Sequence, residues 1–228
     1  MGDRGHVLAV DRSTAAVERA RARAIRPNYA NVALVVADPA TMQFNQPFDA
    51  IVGRFVLMYQ EDSVQSLTKI TQTLPDGGLV VFQKVDSSAC RSGPPVPAFD
   101  EAAGWFPEAL RGSGARPELG LELHSLFLDS GLPAPSLRVD AVISGAAENP
   151  VYELLAEALR SLVPTLLQLD IASAGDIQID SLADRIRKEV VTRRAVAMSY
   201  GLVGAWAKKP VAHDIESDAG IGRESANA

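Results

Sequence analysis

Residues 5–24 read GHVLAVDRSTAAVERARARA. Gly5 closes a turn begun at Gly2, His6–Val10 is an apolar run, and Asp11 ends it. A run this short between turn residues predicts a buried strand rather than a helix. Ser13 suits a helix N-cap, and Ala16, Val17, Ala20 and Ala24 continue at helical spacing to Ile25. Arg19, Arg21, Arg23 and Arg26 fall on other faces, and Pro27-Asn28 ends the pattern. The unit then repeats. Val32–Ala37 is a second buried-strand run ending in an acid, Asp38, and Phe48–Gly53 is a third run. Asp62 or Ser63 can cap a helix carrying Val64, Leu67, Ile70 and Leu74. After the turn Pro75-Asp76-Gly77-Gly78, Leu79–Phe82 is a fourth strand. Alternating strands and helices predict an α/β fold with a doubly wound, Rossmann-like parallel sheet covered on both faces.

Past Val85 the texture changes. Residues 86–120 gather Pro and Gly around Trp105-Phe106 and predict a long excursion with one short helix near 99–110. A helix is expected over Leu119–Asp129 and a fifth strand over Leu137–Ile143. Val151, Leu154, Leu155, Ala158, Leu159, Leu162 and Leu166 follow helical spacing, with Pro164 placed to kink or split the helix. Leu182, Ile186 and Val190 mark a further helix, and Ala195–Ala207 the last strand. The expected organisation is one domain over 1–210, with a helical insertion at 150–192 and a disordered tail at 211–228.

The 228 residues are 47% hydrophobic and 22% charged, which excludes a disordered chain. A net charge of −6 argues against a nucleic-acid surface, which needs clustered Lys and Arg. One cysteine excludes an internal disulfide framework. Three scattered histidines without HExxH spacing assign no metal site. No apolar run approaches the ~20 residues that span a bilayer, and the first residues show no signal-peptide pattern. A cytoplasmic protein acting on a small molecule, with no nucleic-acid or membrane partner, is expected.

In open parallel sheets ligands sit beyond the carboxyl ends of the strands, where Asp11 and Asp38 both fall. There, one acid can accept from both ribose hydroxyls of a nucleoside and the next from the amine of an adenine. Taken singly, each acid also reads as a turn residue or helix cap. The segments GHVLAVDRS, VVADPATMQF, FDAIVGRFVLMY and LPDGGLVVFQ, in this order, resemble successive motifs of the class I S-adenosylmethionine-dependent methyltransferases. Tyr200–Ala207 is similar to that family's last strand. The likeness is nearest to small-molecule members of the ubiquinone/menaquinone-biosynthesis type. It implies a ribose-binding role for Asp11 with Arg12 beside the adenosine, and an adenine-binding role for Asp38 with Pro39 and Ala40 lining the base. It also implies that Gly53, Arg54 and Phe55 lie near the transferable methyl, and that Trp105 and Phe106 belong to a substrate-covering segment. One departure is large. The family's first strand and its GxGxG-type loop are not among these residues, so an N-terminally truncated copy is expected. In the family that strand lies between the counterparts of residues 6–10 and 48–53; without it these must pair directly or leave backbone unpaired.

Methyl transfer from a sulfonium needs mainly proximity and alignment, which accounts for the absence of a catalytic triad. An oxygen or nitrogen acceptor can use a general base. His124 and Tyr59 are the candidates, each also readable as a surface or packing residue. Two rivals stand beside methyl transfer. A non-catalytic remnant is favoured by the missing glycine loop. An NAD(P)-dependent oxidoreductase is favoured by an acid such as Asp11, which can equally hold a dinucleotide ribose.

Overall fold

A computed structural model describes residues 4–24, 30–44 and 46–211. The opening stretch forms strand β1 (Val7–Asp11) and helix α1 (Thr14–Ala24). Ser13 caps the helix, its hydroxyl accepting from the Ala16 N–H at 3.2 Å. The helix stop read at Ile25–Asn28 lies outside the described residues. Strand β2 (Val32–Val36) runs parallel to β1, Val7 opposite Val32 and Asp11 opposite Val36. Strand β3 (Ala50–Arg54), a 3-10 turn at Leu57–Tyr59, helix α2 (Ser63–Thr71) and strand β4 (Leu79–Asp86) make the next parallel unit. Asp62 is the cap of α2, accepting from the Gln65 N–H at 2.8 Å. Gly77 takes φ +77° in the turn before β4, a conformation that favours glycine.

Beyond Asp86 the local reading needs correction. A short strand β5 (Arg91–Gly93) leads into helix α3 (Pro97–Gly112), sixteen residues long rather than a short helix near 99–110. Pro97 sits in its first turn, where a missing N–H costs nothing. Phe99, Ala102, Ala103, Phe106 and Leu110 form a buried stripe that outweighs Gly104 and Pro107. Helix α4 is confined to Leu123–Asp129, because Gly120 packs into a tight turn. A Cβ on Gly120 would stand 3.0 Å from the Asp86 Cβ and the Val203 Cγ2.

The expected strand over 137–143 is two, β6 (Ser136–Asp140) and β7 (Ile143–Ser144), in different sheets. Helices α5 (Val151–Arg160), α6 (Val163–Gln168), α7 (Ala174–Ile177) and α8 (Ile179–Arg193) follow. Pro164 falls in the first turn of α6, so the helix is split there as its position predicts. The last strand is likewise two, β8 (Val196–Met198) and β9 (Gly201–Lys208). Both divisions have one cause. The Ser199 N–H donates to the Val142 carbonyl at 2.8 Å and the Val142 N–H to the Ser199 Oγ at 3.0 Å, pinning the two break points together. All but Val211 of the expected tail lies outside the described residues.

The main sheet has the order β3-β4-β9-β6, and a small sheet β5-β8-β7 stands beside it. The sheet is mixed rather than all parallel: β9 runs antiparallel to β4, and β6 antiparallel to β9. Ala158 and Leu162, of the helical insertion, line a cavity with Phe55 and Val85 at the carboxyl ends of β3 and β4. The chain therefore re-enters from the carboxyl side and must run the other way. The sheet is also not covered on both faces. Val80, Phe82 and Lys84 of β4 are buried on one face. On the other, Val52 is 75% and Trp206 39% exposed.

Strands β1 and β3 do not pair; β1-β2 is a separate two-stranded sheet. A cavity of about 140 Å³ lies between the sheets, lined by Leu8 and Val10 of β1 and by Ala50, Ile51 and Val52 of β3. Of the two outcomes expected for these strands, backbone left unpaired is the one observed among the described residues.

Candidate cofactor and acceptor site

Parallel pairing sets Asp11 opposite Val36, two residues before Asp38. The Ala37 N–H donates to the Asp11 carbonyl at 3.1 Å, one residue before Asp38. Each carboxylate is oriented by its own backbone: Asp11 Oδ1 accepts from the Ser13 N–H at 2.7 Å, and Asp38 Oδ1 from the Ala40 N–H at 2.9 Å. The Arg12 guanidinium lies 3.9 Å from Asp38 Oδ2. Each acid thus also does the turn and capping work that its bland reading assigns. A carboxylate has about four acceptor positions, so lone pairs remain on both. Pro39 faces the gap between the sheets, and Ala40 lies beyond it in a more open hollow.

Across that gap β3 ends in Gly53-Arg54, followed by Phe55. Gly53 is glycine because of Phe82 on β4, opposite it in register. A Cβ there would fall 2.2 Å from the Phe82 Cε1. Arg54 donates from Nε to the Gln83 Oε1 at 3.1 Å, and its guanidinium carbon lies 4.6 Å from the Phe55 ring centroid. Phe55 holds φ +58°, a conformation costly for a side-chain-bearing residue, while its N–H donates to the Gln83 carbonyl at 3.0 Å. The chain is thereby turned sharply off β3 into the 3-10 turn that carries Tyr59.

Phe55 and Tyr59 open onto a second cavity of about 230 Å³, walled also by Phe106, Leu162 and Tyr200. Phe106 stacks on Tyr200, centroids 5.1 Å apart and planes 16° from parallel. Burial raises the Tyr59 and Tyr200 phenols above their usual range, while the charge of Arg12 acts to lower the first and that of Arg54 the second.

Of the aromatic pair read in the sequence, Phe106 lines the cavity, whereas Trp105 is 8% exposed in the core and is not part of its wall. Successive helical residues point about 100° apart, and on α3 this turns Phe106 to the cavity and Trp105 into the core. His124 is exposed on α4, whose buried side is Leu123, Leu126 and Phe127. Met58, in the segment FDAIVGRFVLMY, Leu162, in the helical stripe, Tyr200, opening the last-strand segment, and Ser161 all line the cavity, but none reads as a site residue in the sequence. Of the four, Ser161 alone left no signal in the sequence. Among the described residues no cluster of three or more His, Cys, Asp or Glu side chains could hold a metal, and no helix is long and apolar enough to cross a membrane.

Residues 1–113 match a family described as a methyltransferase domain. No curated protein matches the chain. Among solved structures, a putative methyltransferase from Bacillus halodurans C-125 superposes with a TM-score of 0.59 at 15% identity, covering 91% of this chain and 84% of that one. The YcgJ protein of Bacillus subtilis gives 0.50 at 15% identity, covering 90% and 83%. Phosphoethanolamine N-methyltransferase 2 of Haemonchus contortus, solved with phosphomonomethylethanolamine and S-adenosylhomocysteine, gives 0.52 at 17% identity, covering 90% of this chain and 44% of that one. At these identities the superpositions speak for the fold. With the domain match over its first half and this fold, the chain belongs to the class I S-adenosylmethionine-dependent methyltransferases.

Proposed function

We propose that the protein methylates a small molecule held in the cavity beside Phe55 and Tyr59, with S-adenosylmethionine bound across the ends of β1, β2 and β3. The observation that carries this reading is a pair of backbone-oriented carboxylates just past the ends of two paired parallel strands, together with an aromatic-walled cavity that begins at Phe55, just past the end of β3. The residues fit the cofactor's adenosine. Asp11 would hold the ribose hydroxyls and Asp38 the adenine amine, with Arg12, Pro39 and Ala40 around the base. Gly53, Arg54 and Phe55 would lie along the methionine portion. When bound, S-adenosylmethionine supplies an activated methyl: the acceptor's lone pair forms the new bond, the carbon–sulfur pair stays on sulfur, and any acceptor proton passes to water. The chain's own part is then to bind and align. No side chain of the cavity wall is a strong base, so the reading assigns no general base; His124, exposed on α4, has no role in it.

The gap between β1 and β3 supports a second reading for these 228 residues, in which cofactor binding needs a glycine-rich strand and turn seated there. Calorimetric titration of S-adenosylhomocysteine into this chain and into an upstream-extended version separates the two. Binding is expected in the extended version. Asp11→Asn should weaken it roughly 10- to 100-fold, the worth of a hydrogen bond to a charged group. Binding by neither version, or binding of NAD instead, overturns the methyl-transfer reading.

A further inference from the structure

The 230 Å³ cavity is specific enough in its chemistry to name a class of acceptor. Its volume lies above the ~150 Å³ hollow that accepts benzene and below the ~300–1,000 Å³ of drug-sized sites, which limits the occupant to one or two rings. Its walls are flat and apolar. The stacked Phe106–Tyr200 pair offers an aromatic surface, and Phe55, Met58, Leu110 and Leu162 close round it. None of the lining side chains is charged. Its polar side chains are Tyr59, Ser161 and Tyr200, each with a hydroxyl, and that of Ser161 donates to the Ala158 carbonyl at 3.0 Å and keeps its lone pairs as acceptors.

The charges that lower the cavity's two phenols are both arginines, of which Arg12 also lies 3.9 Å from Asp38 Oδ2. Arg54 lies over Phe55 and acts on Tyr200, and Arg12 acts on Tyr59. A protonated amine entering this cavity would lose its hydration without gaining a carboxylate from the wall, and would meet two guanidinium groups at the edge. A neutral aromatic ring loses little hydration there. If it carries a hydroxyl, negative charge growing on that oxygen is favoured by the same two cations.

We propose that the cavity binds a neutral, planar aromatic alcohol of one or two rings, and that this hydroxyl is the methyl acceptor. The second half of the statement rests on the methyl-transfer reading; the first does not. The test is a cofactor-free titration of the full chain with three probes sharing one ring system: 2-naphthol, 1-naphthylmethylammonium and 2-naphthoate. Binding can be read by calorimetry or ligand-observed NMR. 2-Naphthol should bind at least tenfold more tightly than 1-naphthylmethylammonium, with 2-naphthoate between them, because the arginines offset part of its desolvation. Ser161→Trp should weaken it at least tenfold, since Ser161 is exposed at the end of α5 and can carry an indole across the opening without disturbing the fold. Tyr200→Phe, which keeps the stack and removes one hydroxyl, should weaken it several-fold. Absence of 2-naphthol binding, equal binding of the ammonium, or binding unaffected by Ser161→Trp overturns the proposal, even where S-adenosylhomocysteine binds as expected. Conversely, selective 2-naphthol binding without S-adenosylhomocysteine binding by either this chain or the upstream-extended version upholds the cavity's preference and removes the methyl-transfer reading.

Discussion

Replacing Lys84 with methionine should make the protein more stable, and by an amount that depends on pH. Lys84 is fully buried on β4, on the same face as Val80 and Phe82 and opposite Val203 of β9. Its Nζ has no hydrogen-bond partner among the described residues. Burial pushes the ammonium from 10.5 down to about 7. Between these values the unfolded chain holds one more proton than the folded one, so stability rises with pH across that interval. The cost of the lysine is therefore fully present below about pH 7 and is lost as pH rises through the unfolded value. At about 1.36 kcal/mol per pH unit, the gap between 10.5 and about 7 amounts to about 5 kcal/mol. Methionine has similar length and no charge to desolvate. Urea denaturation of both proteins should give Lys84→Met an advantage of about 5 kcal/mol at pH 6, falling to about 1 kcal/mol at pH 9.5. Groups that titrate alike in the two proteins cancel in the difference. Asp86, two residues on and on the same face, is also buried and leaves its Oδ2 without a partner. If Lys84→Met is instead destabilising, or its advantage does not change with pH, the lysine is compensated inside the fold and the reasoning fails.

Two further changes test the packing. Gly53→Ala places a methyl 2.2 Å from the Phe82 ring, which already meets Phe127 edge-on at 6.4 Å. A loss of about 1–3 kcal/mol is expected for such overpacking, read as a lower melting temperature; an unchanged melt would show that the ring gives way freely. The Cys90 thiol is pushed up to about 12, by burial first and by the charge of Asp100 second. At pH 8 its alkylation by iodoacetamide should be slower than that of a free peptide thiol by on the order of 10³, and equal rates would place the sulfur in solvent.

The residues up to Phe82 were legible because their signals are local. An apolar run, an acid, a capping Ser13 or Asp62 and a glycine turn each act within a few positions, and the structure keeps all of them. What failed depends on distant partners. Nothing in the apolar stretch 195–207 announces a break at Ser199, because the break is made by Val142. Helix α3 was obscured by counting Pro and Gly without their positions: Pro97 falls where a helix tolerates it, and the stripe from Phe99 to Leu110 supplies the burial. The acids of the site could be found from their place at strand ends. The cavity could not, since Phe55, Phe106, Leu162 and Tyr200 meet only through the crossing of a turn, two helices and the start of β9. Lys84 gave no warning at all. Its neighbours Gln83 and Val85 alternate with it across the strand, and a single basic residue in such a run reads as a solvated position.

The two halves of the proposed site stand on ground of unequal strength. Among the described residues up to Val52, only Val17 is buried, so the sheet that carries Asp11 and Asp38 adds almost nothing to the core. A two-stranded sheet with so little apolar cover is marginal by itself. The cavity wall, in contrast, is built from Met58, Phe106 and Leu110, all inside the contiguous core. The acids should consequently open locally at a lower free energy than the cavity does. A cofactor that touched Asp11 and Asp38 at one end and Phe55 at the other would tie the weak unit to the strong one, and part of its binding energy would go into holding them together. A strand seated between β1 and β3 would do the same with backbone hydrogen bonds, leaving that binding energy to appear as affinity. On this argument the affinity of the acid side is set by what joins the two sheets, whereas the acceptor cavity is already formed by the core.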